Sequence, residues 1–271
     1  MTISTNKKWE VQRRLEEIER HLYWTGSVGR NDLIDRFGIS PQQASADLKG
    51  YLALASNSVI FNASSKRYQP TSAFTPILIS PSVENYIDWA GNINRPLEVV
   101  PMPHRSASAK TLRDLSQAIH QRRSVTIHYR SMTQPKGGER KITPHSLVSN
   151  GSRYHVRAYC HKRKNFRDFV LGRIAATGEL GAPGQEREQD EEWHTLVIVR
   201  IGTHPGLTAD QRVVIEEDYS MVDGEAQIKI RQALLFYLFN QLSLDGNELT
   251  RSAVSQQIVL LNPEVRQLVN N

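Results

Sequence analysis

The sequence predicts an α+β chain of several domains: a helical N-terminal part, a small β-rich middle and an α/β C-terminal part. Three observations lead there. The 271 residues are 39% hydrophobic and 23% charged, a globular composition with length for two or three domains. Apolar residues recur at helical spacing over the first fifty residues and alternate in short runs from about residue 124. Positive charge, net +6 overall, gathers in the middle: residues 101–178 carry 16 Lys/Arg against 3 Asp/Glu, whereas 179–193 carry 1 against 6 and 194–271 carry 6 against 9. Such a block attracts polyanions and exceeds what solubility needs. The single cysteine, Cys160, excludes an internal disulfide and a Cys-rich zinc site and points to a reducing compartment. No run reaches the roughly 20 apolar residues that span a bilayer, and MTISTNKKWEVQRR lacks the apolar core of a signal peptide. A cytoplasmic chain with no membrane partner is expected.

Residues 1–75 read as one domain. Trp9, Val11, Leu15, Ile18, Leu22 and Tyr23 form an apolar stripe at helical spacing, ended by Gly26. Arg30-Asn31-Asp32 opens a second, short helix with Leu33, Ile34 and Phe37 inward and Gly38 as its stop. Ser40 caps a third helix with Pro41 at its first position. There Ala44, Leu48 and Leu52 face inward, and Gln42, Gln43, Ser45, Ala46 and Lys49 face out. Two short β-prone runs, SVIFNAS and SKRYQPT, flank a polar turn at 62–66. This order is that of a winged helix-turn-helix, and double-stranded DNA is the expected partner. Ser40, Gln42, Gln43 and Ser45 suit base edges in the major groove, and Lys49, Lys66 and Arg67 suit phosphates.

Residues 76–117 are expected to connect, with a helical stretch around Tyr86, Ile87 and Trp89, a Pro-rich extended run RPLEVVPMPHRSAS, and an amphipathic helix LRDLSQAIHQRR leading into the next domain. Residues 118–178 read as a small barrel or open sheet. Val125, Ile127 and Tyr129 alternate with Thr126, His128 and Arg130. A hairpin turn falls at Asn150-Gly151. Tyr154, Val156, Ala158 and Cys160 then alternate with His155, Arg157, Tyr159 and His161. Residues 179–193 form an acidic linker. Residues 194–271 read as an α/β domain with strands TLVIVRIGTH, AQIKIR and QQIVLLNP, the helix LTADQRVVIEEDY, and the apolar helix ALLFYLFNQLSL, which is either buried or at an interface.

The segment ITPHSLVSNGSRYHVRAYCHKRKNFRDFVLGRI resembles the WYL domain of bacterial transcriptional regulators. The naming triplet falls on Tyr154, His155 and Val156, with His155 the larger departure. Pro144 to Leu147, Phe166 to Phe169 and Gly172-Arg173-Ile174 also fit. With the flanking domains the resemblance covers nearly the whole chain and is nearest to the BrxR and CapW type of phage-defence repressor. It implies an Sm-like β-barrel over 118–178, a C-terminal extension at 194–271 that could dimerise, a homodimer, and a nucleotide or nucleic-acid effector in the WYL sheet. The candidate effector residues are Tyr129, Ser131, His145, Tyr154, His155, Arg157 and Arg173, with arginines for phosphate and tyrosines and histidines for stacking. Tyr154 and Val156 share a face and read equally as core.

An enzyme is not expected. Nine histidines invite a catalytic or metal reading, but residues 101–178 offer only Asp114, Glu139 and Asp168 as carboxylates, and neither a Gly-rich phosphate loop nor GxSxG is present. No cofactor is expected. The expected function is a dimeric, sequence-specific repressor on an inverted-repeat operator, its DNA binding modulated by the effector, which would favour a dimer geometry that no longer matches the half-site spacing. The alternatives are a single-strand or RNA-binding protein using the WYL barrel, and an activator built from the same parts.

Overall fold

In the computed structural model, the structure describes residues 3–55, 58–91, 107–184 and 187–269. The chain divides into two compact units, residues 1–101 and 102–271. No helix among the described residues is long and apolar enough to cross a membrane.

The first unit contains α1 (Ile3–Thr25), α2 (Arg30–Phe37), α3 (Pro41–Leu54), the antiparallel hairpin β1 (Val59–Asn62) and β2 (Arg67–Pro70), and α4 (Val83–Gly91). Local chemistry sets these boundaries. Gly38 takes φ 63°, the left-handed conformation that ends α2, and its N–H returns to the Ile34 carbonyl. The Ser40 hydroxyl accepts from the Gln43 N–H, and Pro41 loses no hydrogen bond at the first position of α3. Asn62 accepts from the backbone of Ser64 and Ser65 and closes the hairpin turn, with Lys66 at φ 55°.

Ile18, Leu22, Val28, Leu33, Ala44, Leu48 and Tyr51 form the core of this unit. The expected stripe on α1 is narrower than its spacing suggests: Trp9 is 57% exposed and Tyr23 43%. Polar groups take part of the buried face instead, namely Arg14, Glu17, Glu19 and His21. On α3, Tyr51 rather than Leu52 is the fully buried residue. The expected connector is shared between the two units. Its first part packs on α1: Trp89 Nε1 donates to Glu17 (2.9 Å), and Glu19 accepts from the backbone N–H groups of Ile77, Leu78 and Ile79 (2.9, 2.7 and 2.7 Å). The Pro-rich run lies, up to residue 106, outside the described residues.

The second unit opens with α5 (Ala109–His120). Then come β3 (Arg123–Tyr129), β4 (Gly138–Ser149), β5 (Tyr154–Cys160), β6 (Asn165–Val170) and β7 (Ile174–Pro183). They form an antiparallel sheet in the order β6-β5-β4-β3-β7, bent at register shifts in the β3–β7 and β4–β5 pairings. Among the described residues no ladder joins β6 to β7, so the sheet stays open where a closed Sm-like barrel was expected. Leu115 and Ala118 of α5 cover one face with Val125, Ile127, Ile142, Val156, Ala158, Cys160, Phe169 and Ile174.

A short helix α6 (Glu191–His194) leads into β8 (Leu196–Thr203), α7 (Ala209–Asp218), β9 (Glu225–Arg231), α8 (Leu235–Gln241), α9 (Ala253–Gln256) and β10 (Ile258–Leu260). The three strands form an antiparallel sheet in the order β10-β8-β9. Leu235 and Phe239 of α8 enter its core, while Phe236 stays exposed. The apolar helix is therefore half core and half surface.

Candidate functional site

In the first unit, Gln42, Ser45, Ala46 and Lys49 recur at i, i+3, i+4 and i+7 and so line one face of α3. With Pro41 and Arg30 they line a surface depression of about 400 Å³. Gln42, Gln43 and Lys49 are exposed, as is Lys66 in the wing turn. Arg30, which sequence reasoning had used only to open α2, joins this face. Contact across the turn between two helices leaves no local periodicity to reveal it.

Buried polar contacts hold the helix behind the face. Arg14 of α1 donates to Asp47 through Nε (2.6 Å), and Asp47 also accepts from Gln43 Nε2 (2.9 Å). Tyr51 donates its hydroxyl to Glu19 (2.7 Å), and burial together with that carboxylate drives the phenol pKa upward. Arg67, expected to contact phosphate, is held within the unit. Its guanidinium is taken by Asp32 (2.5 Å) and Ser27 (2.9 Å to Oγ), so it ties the wing to α2.

In the second unit the expected effector residues separate into three groups. Tyr129 turns to the core side, its ring edge-on to Phe169 at 5.1 Å and its hydroxyl accepting from the Val170 N–H. Ser131 sits in the β3–β4 turn and accepts from Gln134 N. Among the described residues, no side-chain hydrogen bond or ring contact joins either to the other expected effector residues.

His145 and Arg157 are buried against the segment that leads to β8. Arg157 donates to Asp190 through Nε (2.7 Å) and Nη2 (3.0 Å) and to Glu192 through Nη2 (2.7 Å), with Asp168 3.7 Å away. His145 donates Nε2–H to Asp190 (2.9 Å) and uses Nδ1 on Ser146. Burial alone would push the Asp190 carboxyl up; the hydrogen bonds from His145 and Arg157 outweigh it and hold the pKa at about 2. The forked guanidinium expected to meet phosphate is thus already filled by Asp190. An adjacent cleft of about 870 Å³ has Arg157, Asp168, Asp190 and Glu192 among its charged lining, and Phe166, Phe236 and Tyr237 among its apolar lining.

The third group is cationic, with no ion pair to its guanidiniums found among the described residues. His155 is only 4% exposed, its Nδ1 has no partner, and its ring lies 4.7 Å from that of Tyr237. Burial first, then the charges of Arg153 and Arg173, lower its pKa to about 4, so the ring is neutral at pH 7. Arg153 Nε is buried without a partner, and no hydrogen bond from the Arg173 guanidinium is found among the described residues. Tyr154, at the start of β5, is 59% exposed, whereas Val156 is core. Arg153 was missed by sequence reasoning, although period-2 alternation places it on the face of His155 and Arg157.

Three family models match the chain: the winged helix-turn-helix domain of the BrxR transcriptional regulator over residues 10–92, the WYL domain over 110–177, and the C-terminal dimerization domain of the BrxR transcriptional regulator over 196–265. A DNA-binding transcriptional repressor CapW of Pseudomonas aeruginosa is 37% identical over 97% of this chain and 93% of its own length. One of Escherichia coli (strain KTE188) is 36% identical over 95% and 91%, and one of Stenotrophomonas maltophilia 34% over 96% and 92%. The solved structure of proteasome accessory factor B/C (PafBC) of Arthrobacter aurescens overlaps 95% of this chain at 17% identity and TM-score 0.27; the chain spans about half of its length (47%). On the full-length identity to the repressors, the chain belongs to the CapW family of DNA-binding transcriptional repressors, with winged-helix, WYL and C-terminal dimerization domains.

Proposed function

We propose that the chain is a homodimeric, sequence-specific transcriptional repressor whose two winged helices read an inverted repeat, and whose WYL sheet takes an anionic nucleotide or nucleic-acid effector. The observation that carries the DNA reading is the exposed face of Gln42, Ser45 and Lys49 on a helix fixed from behind by buried Arg14–Asp47 and Glu19–Tyr51 contacts. Recognition by side chains needs such a rigid support, because a loose helix spreads its contacts over many registers. Two-fold symmetry of a dimer matches two-fold symmetry in the operator. Resemblance to the BrxR type makes a phage-defence operon the expected target.

The effector reading rests on Arg153, His155 and Arg173, where neither guanidinium has a carboxylate partner among the described residues. Phosphate oxygens suit the guanidiniums. His155 lies against Tyr237, and Tyr237 donates to Asp168 (2.8 Å), so an occupant would press on α8 within the segment matched by the dimerization model. For that to shift DNA binding, the effector must bind the two dimer geometries with different affinity. The same cationic sheet also favours a second reading, binding of single strands as the main activity.

Fluorescence anisotropy of the full chain with the duplex upstream of its own gene tests both. A scrambled duplex and the single strand run alongside, at low and physiological salt. Tight binding to the native duplex alone at physiological salt is expected. Equal binding to all three, lost as salt rises, overturns sequence reading. Preference for the single strand moves the second reading ahead.

A further inference from the structure

We infer that Asp47 fixes which edge of the Gln43 amide faces outward, and so makes Gln43 a reader of bases that carry an amino group. The inference rests on the proposed DNA reading and goes beyond it in naming the specificity. Asp47 is 5% exposed, and its carboxylate is oriented by Arg14, Nε to Oδ2 at 2.6 Å. Its Oδ1 accepts from Gln43 Nε2 at 2.9 Å, one helical turn back on α3. A carboxylate only accepts, so the amide nitrogen must be the end held by Asp47 and Oε1 must be the end turned away. The two-fold ambiguity of a glutamine amide is removed here by chemistry.

Gln43 is exposed near the start of α3, beside Gln42 and within three residues of the Ser40 cap. In the major groove only adenine N6 and cytosine N4 present donors, whereas guanine shows N7 and O6, and thymine shows O4 and a methyl group. An outward acceptor therefore pairs with adenine or cytosine and meets only acceptors on guanine or thymine. A glutamine free to turn over would accept all four. Arg14 and Asp47 are positioning residues in this scheme: they touch no base, and they decide what Gln43 offers.

The test is selection of bound duplexes from a pool randomised across one half-site, using the full chain and two variants, with thermal midpoints measured beside it. Wild type is expected to show one position restricted to A or C over G and T by about tenfold to a hundredfold. Gln43→Ala, which leaves the Arg14–Asp47 pair in place, should level that position and keep the rest of the motif. Asp47→Asn should level the same position, because an asparagine amide can serve either end of Gln43. If Asp47→Asn fails to fold, the base preference lost in Gln43→Ala decides alone. A preference for G or T at that position overturns the inference. So does a motif unchanged in Gln43→Ala, or an A/C preference kept by folded Asp47→Asn. A wild-type chain that selects no motif at all overturns the DNA reading itself, a distinct result.

Discussion

Replacing Asp190 by alanine should cost the second unit about 3 kcal/mol. The wild-type carboxylate is 1% exposed and accepts from Arg157 twice, from His145 once and from the Trp193 backbone N–H. Its removal leaves a buried guanidinium facing Glu192, which is 30% exposed, and Asp168 at 3.7 Å. Breaking a buried pair by deleting one partner costs about 3–5 kcal/mol, and the two remaining carboxylates place this site at the lower end. For a unit of this size that corresponds to a fall in Tm of roughly 6–12 °C. Differential scanning calorimetry at pH 7 reads it directly. The double variant Asp190→Ala with Arg157→Met removes both charges and should recover at least about 1 kcal/mol over Asp190→Ala alone. A loss under about 1 kcal/mol, or strict additivity in the cycle, would refute the view that Asp190 is the partner Arg157 requires.

Four further outcomes are expected. His155 is depressed to about 4 against an unfolded value near 6.5, so on acidification the unfolded chain takes up the proton first. Stability is then lost between about pH 6.5 and 4, by up to about 3 kcal/mol, and urea unfolding of His155→Gln at pH 7.5 and 4.5 should show a flatter difference than wild type. Asp190, held at about 2, acts lower: its contribution is full above about pH 4 and disappears as pH falls through 2, a limb that Asp190→Asn should lack. Lys49→Ala and Lys66→Ala should each reduce the slope of log K against log salt by about one, whereas Arg67→Ala should lower the first unit's Tm by a few degrees and leave that slope unchanged. Arg153→Gln and Arg173→Gln should each weaken binding of a short 5′-phosphorylated oligonucleotide about tenfold by isothermal calorimetry, while Ser131→Ala should not.

The parts legible in the sequence were those set by local rules. The Ser40 cap, the Gly38 stop, the Asn150-Gly151 turn and the alternation through Val125, Ile127, Val156 and Ala158 all act within a few residues. The parts not legible depend on partners far along the chain. Glu19 reads as a solvated helical glutamate until residues 77–79 supply its donors. Arg157 reads as a free cation until Asp190, 33 residues on in an apparently solvated acidic linker, fills it. Trp9 fits a helical stripe by spacing, yet it is 57% exposed, with Arg13 over its ring at 4.8 Å. Closure of the sheet depends on whether β6 and β7 meet, which alternation within each strand does not encode.

The Glu19 carboxylate has a mechanical consequence. It joins α1, α3 through Tyr51, and the backbone of 77–79 at one buried point, while Trp89 ties the end of the same stretch to Glu17. The winged-helix unit is therefore a single stiff casting that includes the first stretch of chain leading out of it. Tilting α3 alone would take the Tyr51 hydroxyl from Glu19 and part Asp47 from Arg14, a cost of several times thermal energy. Under the proposed function, an effector signal would leave the shape of each winged-helix unit alone and act on the distance and angle between two of them, as a caliper changes its span without bending its jaws.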